Sequence, residues 1–263
     1  MTHLAIFGAT GRMGRRLVAL AAADPELTIT AAVASPTSRY LGSDSGELSG
    51  TGPNGIPITA ELPLDTDVDC AIDFSTPAGT SSALIACVGR KIPIVIATTG
   101  HEPHEKQEID TAAHETAVLL SPNTSLVVNL LFKLSQVVGE ALAGKGFDVE
   151  IIERHHRHKK DSPSGTATQF ARIIQQEMGQ LDFRHGREGL LGERPLAEIG
   201  IHAVRAGDNV GEHTIIFAAP GETLELVHKG TSRDSYARGA LLASKFLAGK
   251  NAGRYTMSDV LGL

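Results

Sequence analysis

Residues 153–167 gather side chains suited to proton transfer and anion binding. They include Glu153, His155, His156, His158, Lys159, Lys160 and Asp161, then the turn Pro163-Ser164-Gly165-Thr166. Imidazoles exchange protons near neutral pH, and ammonium groups hold anions. The turn opens an apolar-patterned run, 167–178, that predicts a helix. Free backbone N–H groups at such an N-terminus bind carboxylate or phosphate. Proton donors beside an anion cradle predict an acid–base site for an anionic substrate. Competing readings have less support. A net charge of −6 argues against a polyanion, so no nucleic-acid partner is expected. His155 and His158 have i, i+3 spacing, but Cys70 and Cys87 are far away and no His-Glu-x-x-His pattern is present. No metal is expected. Pro163-Ser164-Gly165 is not the Gly-x-Ser-x-Gly of a nucleophile elbow.

The second chemical signal is at the N-terminus. A short apolar strand, 4–7, runs into Gly8-Ala9-Thr10-Gly11-Arg12-Met13-Gly14 and then a helical pattern at 15–23. A strand, a glycine turn and a helix begin a dinucleotide-binding fold. Gly8 permits the tight turn, Gly11 lets the backbone approach a pyrophosphate, and Gly14 allows close helix–strand packing. Gly8, Ala9, Thr10, Gly11, Arg12 and Met13 are therefore candidate cofactor contacts.

These two clusters need elements to position them. Strands are expected at 27–33, 68–74, 92–97 and 117–120, with helices at 77–89 and 102–116 and a Gly/Ser/Pro-rich loop over 35–57. Parallel strands joined by helical crossovers make a Rossmann-like, doubly wound α/β sheet. Ligands in such sheets bind beyond the strand carboxyl ends. That adds Phe74, Ala97, Thr98, Thr99, Ser121, Pro122, Asn123 and Thr124 to the cofactor candidates. A helix at 126–143 follows, too polar to span a bilayer because it carries Asn129, Lys133, Gln136 and Glu140. Phe147, Val149 and Ile151 alternate with acids, so a strand delivers the His-rich loop. Strands at 198–204, 212–218 and 223–229 with short turns predict a smaller α+β domain with a mainly antiparallel sheet. A closing helix, 235–247, is expected to return to the first domain. The expected division is 1–125 plus 235–263 for the dinucleotide, and 126–234 for substrate and oligomer formation. Two cysteines without paired spacing suggest a reducing compartment, and the N-terminus lacks a secretory layout. A cytoplasmic protein with no membrane association is expected.

The motif Glu153-x-His155-His156-x-x-Lys159-x-Asp161-x-Pro163-Ser164-Gly165-Thr166-Ala167 resembles the signature of the 4-hydroxy-tetrahydrodipicolinate reductase (dihydrodipicolinate reductase) family. The likeness covers nearly the whole chain. It includes Gly8-Ala9-x-Gly11-Arg12-Met13-Gly14, the run Leu41-Gly42-Ser43-Asp44-x-Gly46-Glu47-Leu48, Asp73-Phe74-Ser75 and Thr98-Thr99-Gly100. Later matches are Arg205-Ala206-Gly207-Asp208-x-Val210-Gly211-Glu212-His213 and Ser232-Arg233. The resemblance implies hydride transfer from NADH or NADPH to a cyclic imine dicarboxylate in lysine biosynthesis. By position, His155 matches the catalytic acid–base histidine and Lys159 the catalytic lysine. His156, Gly165 and Thr166 match substrate contacts. Ser164 and Arg233 are further candidate carboxylate partners, with His158 and Lys160 as solvent-facing support. A homotetramer is also implied.

Two departures stand out. Pro122-Asn123-Thr124-Ser125 replaces a common Ala-Asn-Phe-Ser, which alters packing near the nicotinamide. The second strand ends in Ala34-Ser35-Pro36, without the carboxylate that would hold an adenosine ribose. Ser35 and Arg39 could instead meet a 2′-phosphate, so use of both cofactors is expected, NADPH at least as well as NADH. The alternatives are a nicotinamide-dependent dehydrogenase acting on another imine or amino acid, and a non-enzymatic dinucleotide-binding sensor.

Overall fold

A computed structural model describes residues 1–180 and 182–263. In chain order the elements are β1 (Thr2–Phe7), α1 (Arg12–Ala22), β2 (Leu27–Val33), α2 (Ser45–Ser49), β3 (Ile58–Thr59), β4 (Cys70–Asp73), α3 (Pro77–Arg90), β5 (Ile94–Ile96), α4 (Pro103–Ala112) and β6 (Ala117–Leu120). There follow α5 (Leu126–Leu142), β7 (Asp148–His155), α6 (Gly165–Met178), β8 (Asp182–His185), β9 (Glu198–Arg205), β10 (Gly211–Ala219), β11 (Glu222–Gly230), α7 (Asp234–Leu247), β12 (Gly253–Tyr255) and α8 (Met257–Leu261). They form two units, Met1–Leu126 with Asp234–Leu263, and Val127–Arg233.

The first unit is built on a seven-stranded sheet in the order β12-β6-β5-β4-β1-β2-β3. Every pairing in it is parallel. Parallel strands covered on both faces are apolar throughout, and every residue of β4 and β5 is buried. One face packs Leu4, Ile6, Ile72 and Leu119 against Leu17 and Val18 of α1 and Ala240 and Leu247 of α7. The other packs Phe7, Ile94, Ile96 and Val118 against Leu84 of α3 and Ile109 of α4. The chain leaves β1 for β2 and β3, then crosses back to β4 on the other side. The topological switch therefore falls between β1 and β4, where such sheets bind ligands.

The 35–57 stretch, expected as loop, contains α2 and is folded around one carboxylate. Asp44 accepts N–H bonds from Gly46, Glu47, Asn54 and Gly55. The two- and three-residue strands β3 and β12 are too short to show a period, so only their pairing reveals them.

The second unit has a five-stranded sheet in the order β11-β10-β7-β9-β8. It is mixed, which corrects the expectation of a mainly antiparallel sheet. Hairpin-linked β10 and β11 are antiparallel, as are β10 and β7. Strand β9 runs parallel to both β7 and β8. The reason is that α6 carries the chain across the sheet after β7, so the next strands enter in the same direction. On the covered face Val149, Ile151, Ile199, Ile215 and Phe217 pack against Val128, Leu131, Phe170 and Ile174 of α5 and α6. Among the described residues, no helix is long and apolar enough to cross a membrane.

Candidate active site

The alternation of β7 turns Val149, Ile151, Glu153 and His155 inward. Apolar residues come first along the strand, so the two polar ones arrive together at its carboxyl end. Glu153 is fully buried and His155 nearly so. Isolated burial of a carboxylate would be very costly, and here it is offset by four donors. His155 Nδ1 lies 2.6 Å from Glu153 Oε2, and the Ser164 N–H donates to Oε1 at 2.9 Å. Arg205 grips both oxygens at 2.7 Å. Burial pushes the Glu153 carboxyl up, but these hydrogen bonds outweigh it and hold the group at about 2. Glu153 is therefore ionised and can only accept, so His155 carries a proton on Nδ1 and presents Nε2 elsewhere.

Backbone bonds hold the following loop against the Gly207-Asp208-Asn209 turn. Ala206 N–H donates to the His155 carbonyl at 3.0 Å, His156 N–H to Asn209 at 2.8 Å, and Arg157 N–H to Gly207 at 3.1 Å. Lys159 is partly buried and pairs with Asp161 at 2.9 Å. Ser164 caps α6, its hydroxyl accepting from the Ala167 N–H at 3.2 Å. Gly165 leads the helix into open space, with nothing within 4 Å of where a Cβ would sit. A ligand can thus approach the helix start at Gly165. Arg233 is exposed and just precedes α7, yet its charge, after burial, is the largest influence lowering the His156 pKa. His158 and Lys160 face solvent.

His213, opposite Glu153 on β10, lies behind this cluster. Its Nε2 is 3.3 Å from the Ser164 hydroxyl, and its ring meets those of His155 at 5.4 Å and His228 at 5.9 Å. Burial, followed by the charges of His155 and His228, pushes His213 down to about 3. It is neutral at physiological pH. Glu153, Arg205 and His213 were assigned no role from the sequence. Their signals were the i−2 spacing of Glu153 from His155 and the Arg205 and Gly211-Glu212-His213 motifs, but cross-strand register is needed to join them: Arg205 stands opposite His155.

In the first unit the glycine turn fits a dinucleotide. Gly8 has φ +78°, and a Cβ there would lie 2.5 Å from the Phe74 carbonyl. No side chain caps α1 at Gly11, and no acidic residue sits in its first turn. The backbone N–H groups there are suited to a pyrophosphate. Ala9 is buried, whereas Thr10, Gly11, Arg12 and Met13 reach the surface. Beyond β2, Ser35 and Arg39 are exposed. The Arg39 and Arg15 guanidinium groups both stack on Tyr40, at 4.8 and 5.1 Å from the ring centre.

The other candidates lie at the ends of β4, β5 and β6. Phe74 and Ala97 continue their strands, and Thr99 and Pro122 are exposed. The Thr98 hydroxyl instead donates to buried Asp73 at 2.8 Å. Asp73 also accepts from Ser75 and Thr80, each at 2.5 Å, and so ties the β4 and β5 ends together. Ser121 donates to the Asn123 carbonyl at 2.7 Å. Thr124 is buried with its hydroxyl on the Tyr236 carbonyl of α7 at 2.7 Å. Its side chain is committed to helix packing, leaving only its backbone for a cofactor.

Comparison with known proteins agrees in both units. A family described as "Dihydrodipicolinate reductase, N-terminus" matches residues 2–124, and "Dihydrodipicolinate reductase, C-terminus" matches 127–261. A 4-hydroxy-tetrahydrodipicolinate reductase from Nitrosomonas eutropha is 45% identical over 267 residues, covering 100% of this chain and 99% of that protein. One from Methanopyrus kandleri is 43% identical over 266 residues, covering 99% and 97%. Among solved structures, a dipicolinate-bound dihydrodipicolinate reductase from Paenisporosarcina sp. superposes with a TM-score of 0.75 at 24% identity, covering 97% of each chain. An amine dehydrogenase from Mycobacterium smegmatis shares the fold at a TM-score of 0.61 and 14% identity.

Proposed function

The chain belongs to the dihydrodipicolinate reductase family, and from that premise we infer how its residues carry out the reaction. The activity is NAD(P)H-dependent reduction of 4-hydroxy-tetrahydrodipicolinate to tetrahydrodipicolinate, in diaminopimelate and lysine biosynthesis. The net change replaces a hydroxyl by hydrogen and releases water, consuming one hydride and one proton. The nicotinamide supplies the hydride. The protein must supply the proton and hold two carboxylates.

The observation that carries our assignment is the convergence of His155, Lys159 and the open N-terminus of α6 at the end of β7. His155 is the proton donor through Nε2, since Glu153 holds its Nδ1 proton. Lys159 offers charge to a substrate carboxylate once it exchanges Asp161, its present partner. The first-turn N–H groups at Gly165 and Thr166 receive a carboxylate beneath the Ser164 cap, with Arg233 supplying charge and the His156 ring a hydrogen-bonding group at the rim. The Met1–Leu126 and Asp234–Leu263 unit holds the cofactor at the Gly8–Met13 turn and the strand ends. Oxidation of NAD(P)H followed at 340 nm with the 4-hydroxy substrate tests the assignment. Absence of turnover, or equal turnover of an unrelated imine, would reject it.

The reading extends to assembly and location. The face of the five-stranded sheet opposite the helices carries Ile152, Ile216, Val204 and Val227, the last two more than 40% exposed. This face mixes those apolar side chains with charged ones such as Glu150, Arg154 and Glu212; with β11 as an edge, it suits a second copy of the chain, and a homotetramer is our assignment. Cys70 and Cys87 are free thiols, in keeping with a cytoplasmic enzyme.

A further inference from the structure

We propose that Glu153 is a positioning residue for the reduction, fixing with one buried carboxylate both the proton-donating histidine and the anion-binding helix N-terminus. The inference rests on the assignment of His155 as the acid–base group. Its basis is the division of labour between the two oxygens. Oε2 takes the His155 Nδ1 proton at 2.6 Å, and Oε1 takes the Ser164 N–H at 2.9 Å. Ser164 is the residue that caps α6. The proton donor and the carboxylate cradle are thus set in register by a single rigid group.

Arg205 is what keeps that group in place. Its two nitrogens meet both oxygens of Glu153 at 2.7 Å, and it also donates to the Asp161 carbonyl at 2.8 Å. Every direction in the carboxylate plane is filled, so the side chain has no alternative rotamer with equal bonding. The groups facing it are His155 on its own strand, Arg205 on β9, His213 on β10, and Lys159 and Asp161 in the loop. With the carboxylate present, the only His155 tautomer compatible with the bond has Nδ1 protonated. Nε2 is then the ring nitrogen left to face a substrate. A Gln at 153 would place an amide NH2 against one of these donors. It would also remove the anion, so ring orientation and proton supply would both suffer.

The test uses the full-length enzyme and four variants: Glu153→Gln, Glu153→Asp, His155→Gln and the double variant Glu153→Gln/His155→Gln. For Glu153→Gln we expect kcat to fall on the order of a hundredfold, as when an orienting carboxylate is lost. KM for the nicotinamide cofactor should stay within about twofold, because its site lies in the other unit. That split between kcat and KM is one that a purely structural loss would not produce. The double variant should be less impaired than the product of the two single losses, since part of the Glu153 effect runs through that ring. Glu153→Asp keeps the charge for Arg205 but withdraws it from His155, so it should fold and still lose kcat. Wild-type kcat in Glu153→Gln would overturn the proposal. So would multiplying effects in the double variant, or loss of folding in both single variants at Glu153. Failure of the underlying assignment shows separately, as no turnover by the wild type or an unimpaired His155→Gln enzyme.

Discussion

A buried imidazole beside an ionised carboxylate makes His155 the residue on which turnover should depend most. His155→Gln should keep the fold and cofactor binding while lowering kcat about a hundredfold or more, the usual scale for a lost acid–base group; near-wild-type turnover in a folded variant would contradict the assignment. The neighbouring lysines separate a functional charge from a surface one. Lys159 is partly buried and paired with Asp161, whereas Lys160 is exposed, so Lys159→Ala should be about as damaging as His155→Gln and Lys160→Ala mild. Reversed effects in steady-state kinetics would mean that the loop register is wrong. At the end of β2, Arg39 stacks on Tyr40, and its Nη2 donates to the phenol oxygen at 2.6 Å. That phenol is held below its ordinary value, chiefly by the Arg39 hydrogen bond and then by Arg15. Two guanidinium groups on one ring, and no carboxylate to repel a phosphate, favour NADPH at least as much as NADH. Arg39→Ala should raise KM for NADPH severalfold while changing KM for NADH little. An equal rise for both cofactors would show that Arg39 does not read the 2′-phosphate.

At the scale of elements, glycine substitutions report how closely the layers approach. A Cβ on Gly239 of α7 would run into the Thr124 carbonyl, while one on Gly89 of α3 would meet open space. Overpacking costs about 1–3 kcal/mol, so Gly239→Ala should lower Tm by several degrees. Gly89→Ala should leave it unchanged or raise it, because alanine in a helix is favoured by roughly 0.5–1 kcal/mol. Calorimetry on the two variants decides the matter, and a stable Gly239→Ala protein would show that α7 can shift. The Thr124 side chain also packs there, buried and with its hydroxyl donating to the Tyr236 carbonyl. The sequence made the long elements legible because their periodicity is strong: α3, α5, α6, α7 and the strands from β1 to β11 longer than three residues that carry alternation or apolar runs. It could not show that β7 and β9 are parallel, since period 2 says nothing about direction. It named His155, Lys159 and the Ser164 turn, whose chemistry is local, but assigned no role to Arg205 or His213. Those reach the site only through cross-strand pairing, 50 or more residues away along the chain for Arg205 with Glu153 and for Ser164 with His213 nearly as far.

For the whole molecule, two quantities follow from the charges and faces described above. Sedimentation at micromolar concentration should show a tetramer assembled through the Ile152, Ile216 and Val227 face, and a monodisperse monomer would refute it. The second quantity is stability against acid, which should decline in two stages. His213 and His228 are both lowered from the ordinary 6.5, mainly by burial, His213 to about 3. The folded protein keeps them neutral while the unfolded chain protonates them. Their stabilising contribution is present above pH 6.5 and is lost as pH falls from there, for His213 down to about 3. Glu150 and Glu153 behave as depressed carboxylates, each held at about 2 against an ordinary 4.5. Burial raises both, but Arg187, His202 and Arg194 outweigh it at Glu150, and His155, Arg205 and the Ser164 N–H do so at Glu153. Their contribution is complete above pH 4.5 and disappears between 4.5 and 2. Each extra proton bound by the unfolded chain lowers stability by about 1.4 kcal/mol per pH unit. The thermal midpoint should therefore be flat from pH 6.5 to about 8, fall gently from 6.5 to 4.5 and steeply below it. His213→Gln should make the gentle segment shallower, with His228 leaving a residual slope, and should change the steep one only above about pH 3. A midpoint that is constant between pH 6.5 and 4.5 in the wild type would mean that the buried histidines gain their protons without loosening the fold.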